Sequence, residues 1–127
     1  MVAIDYGLSA DELLLPERKE GTLRTYTKHQ VNNDLLANVG KQDITAHVNF
    51  STIRSAGEAV GLKTESLVSQ EKFLTEIVRQ TLDPASRFGE WDAKRRRQFQ
   101  TLTHPEHLGR PFRVLIQSRS VAGAVSS

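Results

Sequence analysis

Cysteine is absent from this chain of 127 residues. Disulfides and thiolate metal sites are therefore excluded, and no redox compartment follows from composition. Aromatics are scarce, with five Phe, two Tyr and one Trp. No apolar run approaches the ~18 residues of a membrane span. The chain does not open with a basic segment and an apolar core, so no secretory leader is expected there. Glycines are scattered, and no Gly-x-Gly triplet occurs anywhere.

What remains is a charged but globular composition. Hydrophobic residues make up 38% and charged residues 25%, which suits one ordinary domain with a modest core. The net charge of +2 is small. It hides an asymmetry: residues 1–60 carry six basic and eight acidic side chains, and residues 61–127 carry eleven and seven. The basic excess lies mostly in Lys94-Arg95-Arg96-Arg97. A balance this even does not point to a dedicated nucleic-acid binder. The expected setting is cytoplasmic, or mitochondrial in a eukaryote, with neither membrane nor nucleic acid as partner.

Periodicity divides the chain into a few elements. The apolar run Met1 to Ile4, ending in Asp5-Tyr6-Gly7, reads as a short buried strand of the kind found in parallel sheets. Residues 8–42 have little periodicity and read as a long loop, in which Ser9 caps a short turn of helix. Loops of this length in a compact domain are commonly functional. Asn49 is placed to cap a helix over 50–60, with Phe50, Ile53, Gly57 and Val60 on one stripe and Gly61 at the left-handed end position. Residues 62–68 alternate as a strand. Ser69 opens a helix with Phe73, Leu74, Ile77, Val78 and Leu82 on one face, which Asp83-Pro84 ends. A polar helix over 90–102 aligns Trp91, Arg95, Phe99 and Leu102. Residues 104–111 read as a turn, 112–117 as the last strand, and the small polar residues from Ser118 onward as a frayed tail. The order amounts to part of a layered α/β sheet.

Several segments resemble the MidA-type S-adenosylmethionine-dependent methyltransferases, which include complex I assembly-type protein arginine methyltransferases and bacterial relatives. Ile4-Asp5-Tyr6-Gly7 resembles a family strand ending in Asp-Tyr-Gly. Gly21-Thr22-Leu23 followed by Arg24 and His29 resembles a Gly-Thr-Leu segment with a basic, His-containing continuation. The most specific block is Gly40-Lys41-Gln42-Asp43-Ile44-Thr45-Ala46-His47-Val48-Asn49-Phe50. It is similar to the family's Gly-Glu-x-Asp-Ile-Thr-Ala-His-Val-Asp-Phe, with Lys41 and Asn49 in place of acids. Leu108-Gly109 and Phe112-Arg113-Val114-Leu115 resemble the family's closing segment. The resemblance runs over 2–118.

The resemblance implies the C-terminal half of a Rossmann-like class I methyltransferase fold. That half has three strands, about three helices and a long loop after the first strand. Residues 3–6, 63–68 and 112–117 would be its fifth, sixth and antiparallel seventh strands. Residues 1–118 would form the C-terminal part of a methyltransferase domain, and 119–127 a flexible tail. The implied cofactor is S-adenosylmethionine, and the implied acceptor is a protein arginine. The family's glycine-rich cofactor turn has no counterpart here, so no cofactor-binding residue is assigned and the chain alone is expected to be inactive. The expected partners are a protein substrate and either a missing N-terminal half or a second copy of the chain.

The site candidates follow from placement. Asp5 ends a strand, where ligands bind in open α/β sheets, or it caps the next turn. Tyr6 beside it faces either substrate or core. Asp43, Thr45 and His47 lead into a helix N-terminus, where donors and positive potential collect. His47 is a candidate proton acceptor, or else a buried residue tying the loop to the sheet. Asp5, Asp43 and His47 are the catalytic candidates. Tyr6, Arg24, His29 and Thr45 are the substrate-binding ones, with a solvated basic stretch as the alternative for Arg24 and His29. Residues 94–97 most simply form an exposed helix face. His104 and His107 are interrupted by Pro105 and lack a third ligand, so no metal is expected. A competing reading is a non-catalytic protein-interaction or assembly module that pairs through an unpartnered strand edge.

Overall fold

In the computed structural model, the described residues are 1–27, 30–32, 34–81 and 90–120. They form two sheets and a set of helices. Strand β1 is Val2–Leu8, helix α1 Ala10–Leu13, β2 Arg24–Thr27, β3 Gln30–Asn32, β4 Asp43–Thr45 and β5 Val48–Asn49. Helix α2 is Phe50–Ala59, β6 Lys63–Ser69, α3 Gln70–Thr81, α4 Ala93–Thr103 and β7 Phe112–Ser118. The larger sheet runs β5-β1-β7-β6, and the smaller runs β3-β2-β4.

Strand β7 is the centre of the larger sheet. It is antiparallel to both neighbours, with Ile4 opposite Val114 on one side and Leu67 opposite Leu115 on the other. Its Val114 and Leu115 are fully buried, and Phe50 at the start of α2 completes the core. Burying a side chain such as Phe50 contributes about 2–3 kcal/mol. The antiparallel last strand agrees with the expectation.

The start of α2 follows local chemistry. The Asn49 side-chain oxygen accepts from the Thr52 N–H at 3.2 Å, satisfying one donor of the first turn. Gly57 sits on the buried face, where an added Cβ would collide with the Gln117 amide. Gln117 is buried on β7 and donates through Nε2 to the Arg54 carbonyl at 2.9 Å and to Thr64 Oγ1 at 3.0 Å. One glutamine thus ties helix α2 to two strands. Gly61 has φ +85, as its place after the helix predicted. Val60 does not join the stripe; it lies past the last helical turn and is 63% exposed.

Helix α3 begins where Ser69 Oγ accepts from the Lys72 N–H at 3.3 Å. Buried Gln70 donates to the Leu102 carbonyl at 2.9 Å, fastening α3 to the end of α4. Helix α4 is capped by Asp92, which accepts from the Arg95 N–H at 2.7 Å. Between α3 and α4 lies an apolar groove of about 440 Å³, floored by Leu74, Val78, Trp91 and Phe99. Residues Leu82, Asp83 and Pro84, expected to close α3, lie outside the described residues.

Four expectations need correction. The long loop over 8–42 is not irregular: it holds α1, a short helical turn at Pro16–Arg18, and β2 and β3 of the small sheet, whose third strand is β4. Strands of three or four residues are too short for period 2 to register, and their pairing is set by distant segments. The larger total of strands follows from the same cause. Second, β1 is not buried on both faces, since Val2 and Ile4 are 58% and 49% exposed. Its long pairing is antiparallel, and the parallel partner β5 meets only Gly7 and Leu8. Third, 104–111 contains a wide helical turn, Pro105–Gly109, closed by Gly109 N–H to the His104 carbonyl at 2.9 Å. Fourth, Ser118 is not frayed: it ends β7 and donates to Glu65 at 2.6 Å, while Arg119 donates to the Val60 carbonyl at 2.7 Å.

Candidate functional site

Where β1 reaches its C-terminal end it meets β5, and this junction brings the site together. Gly7 pairs with Val48, and its missing side chain is required, because a Cβ there would meet the Val48 carbonyl and the Phe50 ring. The close approach places Tyr6 and His47 side by side. Their rings meet edge to face, with centroids 5.7 Å apart. Tyr6 makes a second edge contact with Phe112, its cross-strand partner, at 5.5 Å. Such pairs contribute about 0.5–1.5 kcal/mol beyond area burial.

The other side of His47 is closed by the segment leading into β2. The His47 N–H donates to Thr22 Oγ1 at 3.1 Å. Arg24 and Thr45 are paired across β2 and β4, and Thr45 Oγ1 donates to the Arg24 carbonyl at 3.5 Å. Burial holds the His47 imidazole below its ordinary value of 6.5, and the positive charges of Arg18 and Arg24 push it further down. The Thr22 backbone acts in the opposite direction. Burial and the two guanidiniums thus both favour the neutral form of the ring. Its Nδ1 is buried with no hydrogen-bond partner among the described residues, and so is Arg18 Nε.

Tyr6, Arg24, Thr45 and His47 thus occupy one neighbourhood. The two carboxylate candidates stand apart from the ring contact. Asp5 Oδ1 accepts from the Tyr6 N–H at 2.7 Å, and its side chain points to the opposite face of β1 from Tyr6 by strand alternation. Asp43 is exposed at the other end of the β2–β4 ladder, opposite Tyr26. His29 lies outside the described residues. Arg18 was not singled out from the sequence. It follows Pro16 in a short turn, and no local pattern announces that it will lie near a histidine 29 positions away.

An ion pair braces the same strand end from below. Glu12 and Arg113 meet at 2.8 Å. Glu12 also accepts from the Ser9 N–H at 2.7 Å while Ser9 Oγ accepts from the Glu12 N–H at 3.3 Å, a reciprocal cap on α1. The Ser9 backbone bond is the main reason the Glu12 carboxyl lies below its ordinary range, with Arg113 adding to it.

At the buried glycines Gly7, Gly57 and Gly109 an added Cβ would meet protein atoms, so each of them serves close packing. No group of His, Asp and Glu suited to a metal ion occurs among the described residues. His104 and His107 have ring centroids 4.6 Å apart, and His104 Nδ1 already accepts from the Glu106 N–H at 3.2 Å. Residues 94–97 are exposed on α4. No described helix is long and apolar enough to cross a membrane.

Comparison with known proteins gives these features a setting. Residues 1–68 match the model of a family described as "Putative S-adenosyl-L-methionine-dependent methyltransferase". A protein from Burkholderia thailandensis, described as a "likely methyl transferase" and crystallised with S-adenosyl-homocysteine, is 32% identical, with a TM-score of 0.75 over 97% of this chain and 32% of its own. A native structure of an uncharacterised protein of that superfamily, from the same organism, is also 32% identical, with a TM-score of 0.76 over 98% of this chain and 34% of its own. This chain therefore spans about a third of the length of those solved proteins. No curated protein matches it.

Proposed function

This chain belongs to that family of S-adenosyl-L-methionine-dependent methyltransferases, and we propose that it is the acceptor-side, C-terminal part of a Rossmann-like methyltransferase domain, covering residues 1–118. The likeness over 97% of the chain to a protein crystallised with S-adenosyl-homocysteine carries the reading. The cofactor-binding part is then supplied by a preceding segment, in keeping with the absence of a Gly-x-Gly triplet from this sequence. The acceptor proposed is a protein arginine, by the family resemblance.

S-adenosylmethionine, when bound, supplies an electrophilic methyl group. The residues of this chain would position the acceptor and exclude water, which is what a displacement of this kind asks of a protein. His47, held neutral, would take the proton that the acceptor nitrogen loses. Asp5, on the opposite face of β1, and Asp43, at the far end of the β2–β4 ladder, are given no contact with the acceptor in this arrangement. Tyr6 fixes the imidazole by its edge contact, and Arg24 and Thr45 shape the wall behind it.

Calorimetry with S-adenosyl-homocysteine tests the division of labour. The chain alone should bind weakly, and joining it to its missing N-terminal part should produce binding and methyl transfer to an arginine peptide. Tight binding by the chain alone would contradict the proposal. A second reading, a non-catalytic assembly module, is favoured by the exposed Val2 and Ile4 on β1, whose residues 2–6 are paired on one side only among the described residues. Light scattering distinguishes the two: a self-associating chain that never gains methyl transfer supports the module.

A further inference from the structure

Two buried polar atoms next to the site have no partner among the described residues: His47 Nδ1 and Arg18 Nε. Leaving such groups unsatisfied is unfavourable, the more so where a charge is involved. Arg18 and Arg24 also line one polar hollow of about 550 Å³, together with Lys19. Arg24 is anchored by its Nη1, which donates to the Leu23 carbonyl at 2.6 Å. A guanidinium has five N–H donors, so this bond leaves most of the Arg24 fork open to a planar acceptor.

We propose that Arg18, Arg24 and His47 form a binding site for a carboxylate of an acidic peptide segment, lying next to the residue to be methylated. The geometry of a guanidinium fork matches a carboxylate in a bidentate pair. The neutral imidazole adds one hydrogen bond without adding charge. A polyphosphate backbone fits less well, because Glu17 and Glu20 line the same hollow and would repel a long anion. A single carboxylate can sit between the guanidiniums while its peptide leads away from those acids. The proposal rests on the reading that this face meets the acceptor. It adds what that acceptor carries: an acidic residue beside the arginine.

The test uses this chain with a peptide carrying one glutamate beside one arginine, its glutamine counterpart, and inorganic phosphate. The glutamate peptide should bind at least about tenfold more tightly than the glutamine peptide, equivalent to about 1.4 kcal/mol. The His47 ring nitrogen resonances should shift on its addition. Arg18→Gln and Arg24→Gln should each abolish the preference. Arg18→Lys, which keeps the charge but loses the fork, should retain part of it, and this variant serves if Arg18→Gln fails to fold. Equal binding of the two peptides, or binding of neither, overturns the proposal. So does phosphate binding as tightly as the glutamate peptide, or a preference that survives both glutamine variants in folded protein. Methyl transfer is measured separately in the enzyme completed by its N-terminal part. Transfer with no acidic preference sinks this inference alone. An acidic preference with no transfer to arginine sinks the arginine reading and leaves the carboxylate site standing.

Discussion

The His47 ring stands edge-on to the Tyr6 ring, with centroids 5.7 Å apart and planes at 76°. The contact joins the end of β1 to the segment just before α2. It also gives a partly buried imidazole one apolar wall, which contributes to its depressed basicity.

Removing the Tyr6 ring should therefore unsettle both neighbours. Tyr6→Ala is expected to destabilise the chain by about 2–4 kcal/mol, from lost burial and two lost edge contacts. Tyr6→Phe keeps the ring and should cost less than about 1 kcal/mol. Urea unfolding of the two variants checks the order, and equal losses would show that the ring contacts contribute little.

The state of His47 has a consequence for pH. Its folded-state pKa is depressed from 6.5, so the unfolded chain takes up the proton first as pH falls. Stability from this group is complete above 6.5 and declines as pH falls from there toward the folded value. Histidine 47 replaced by glutamine, His47→Gln, should flatten the stability profile in that window. Midpoints of denaturant unfolding measured across it decide the matter.

Glu12 acts lower on the pH scale. Its carboxyl is depressed from 4.5, chiefly by the Ser9 backbone bond and then by Arg113. The stabilisation is present above 4.5 and is lost as pH falls through the folded value. Glu12→Ala should cost about 1 kcal/mol at neutral pH, the usual scale for a helix cap. Ser9→Ala should cost a similar amount, and the double variant less than the sum, because both groups serve one reciprocal cap.

Gly57 is a packing requirement. A methyl group at this position would displace the Gln117 side chain from its two hydrogen bonds on Arg54 and Thr64. Gly57→Ala should destabilise by about 2–3 kcal/mol despite alanine's better helix propensity. Pairing it with Gln117→Ala should recover part of the loss. Thermal melts of the single and double variants provide the measurement.

The sequence by itself determined the elements whose signals are local. Asn49 and Gly61 bracket α2 because a cap and a left-handed glycine act within one turn of the chain. Ser9 starts α1 and Ser69 starts α3 for the same reason. The strands β1, β6 and β7 were legible as apolar or alternating runs, and the block from Gly40 to Phe50 carried the family. Tertiary structure alone decided the rest. The small sheet of β2, β3 and β4 is built from segments too short for a period, so only their mutual pairing defines them. Whether β1 was buried depended on what lies across its faces, and Val2 and Ile4 are left open. The site shows the same limit: His47 was visible as a candidate, but the burial of its Nδ1 and its neighbours Tyr6 and Arg18 come from strand pairing and a turn far away in the chain. Capping and periodicity act over a few residues, whereas burial and charge proximity are properties of segments brought together by folding.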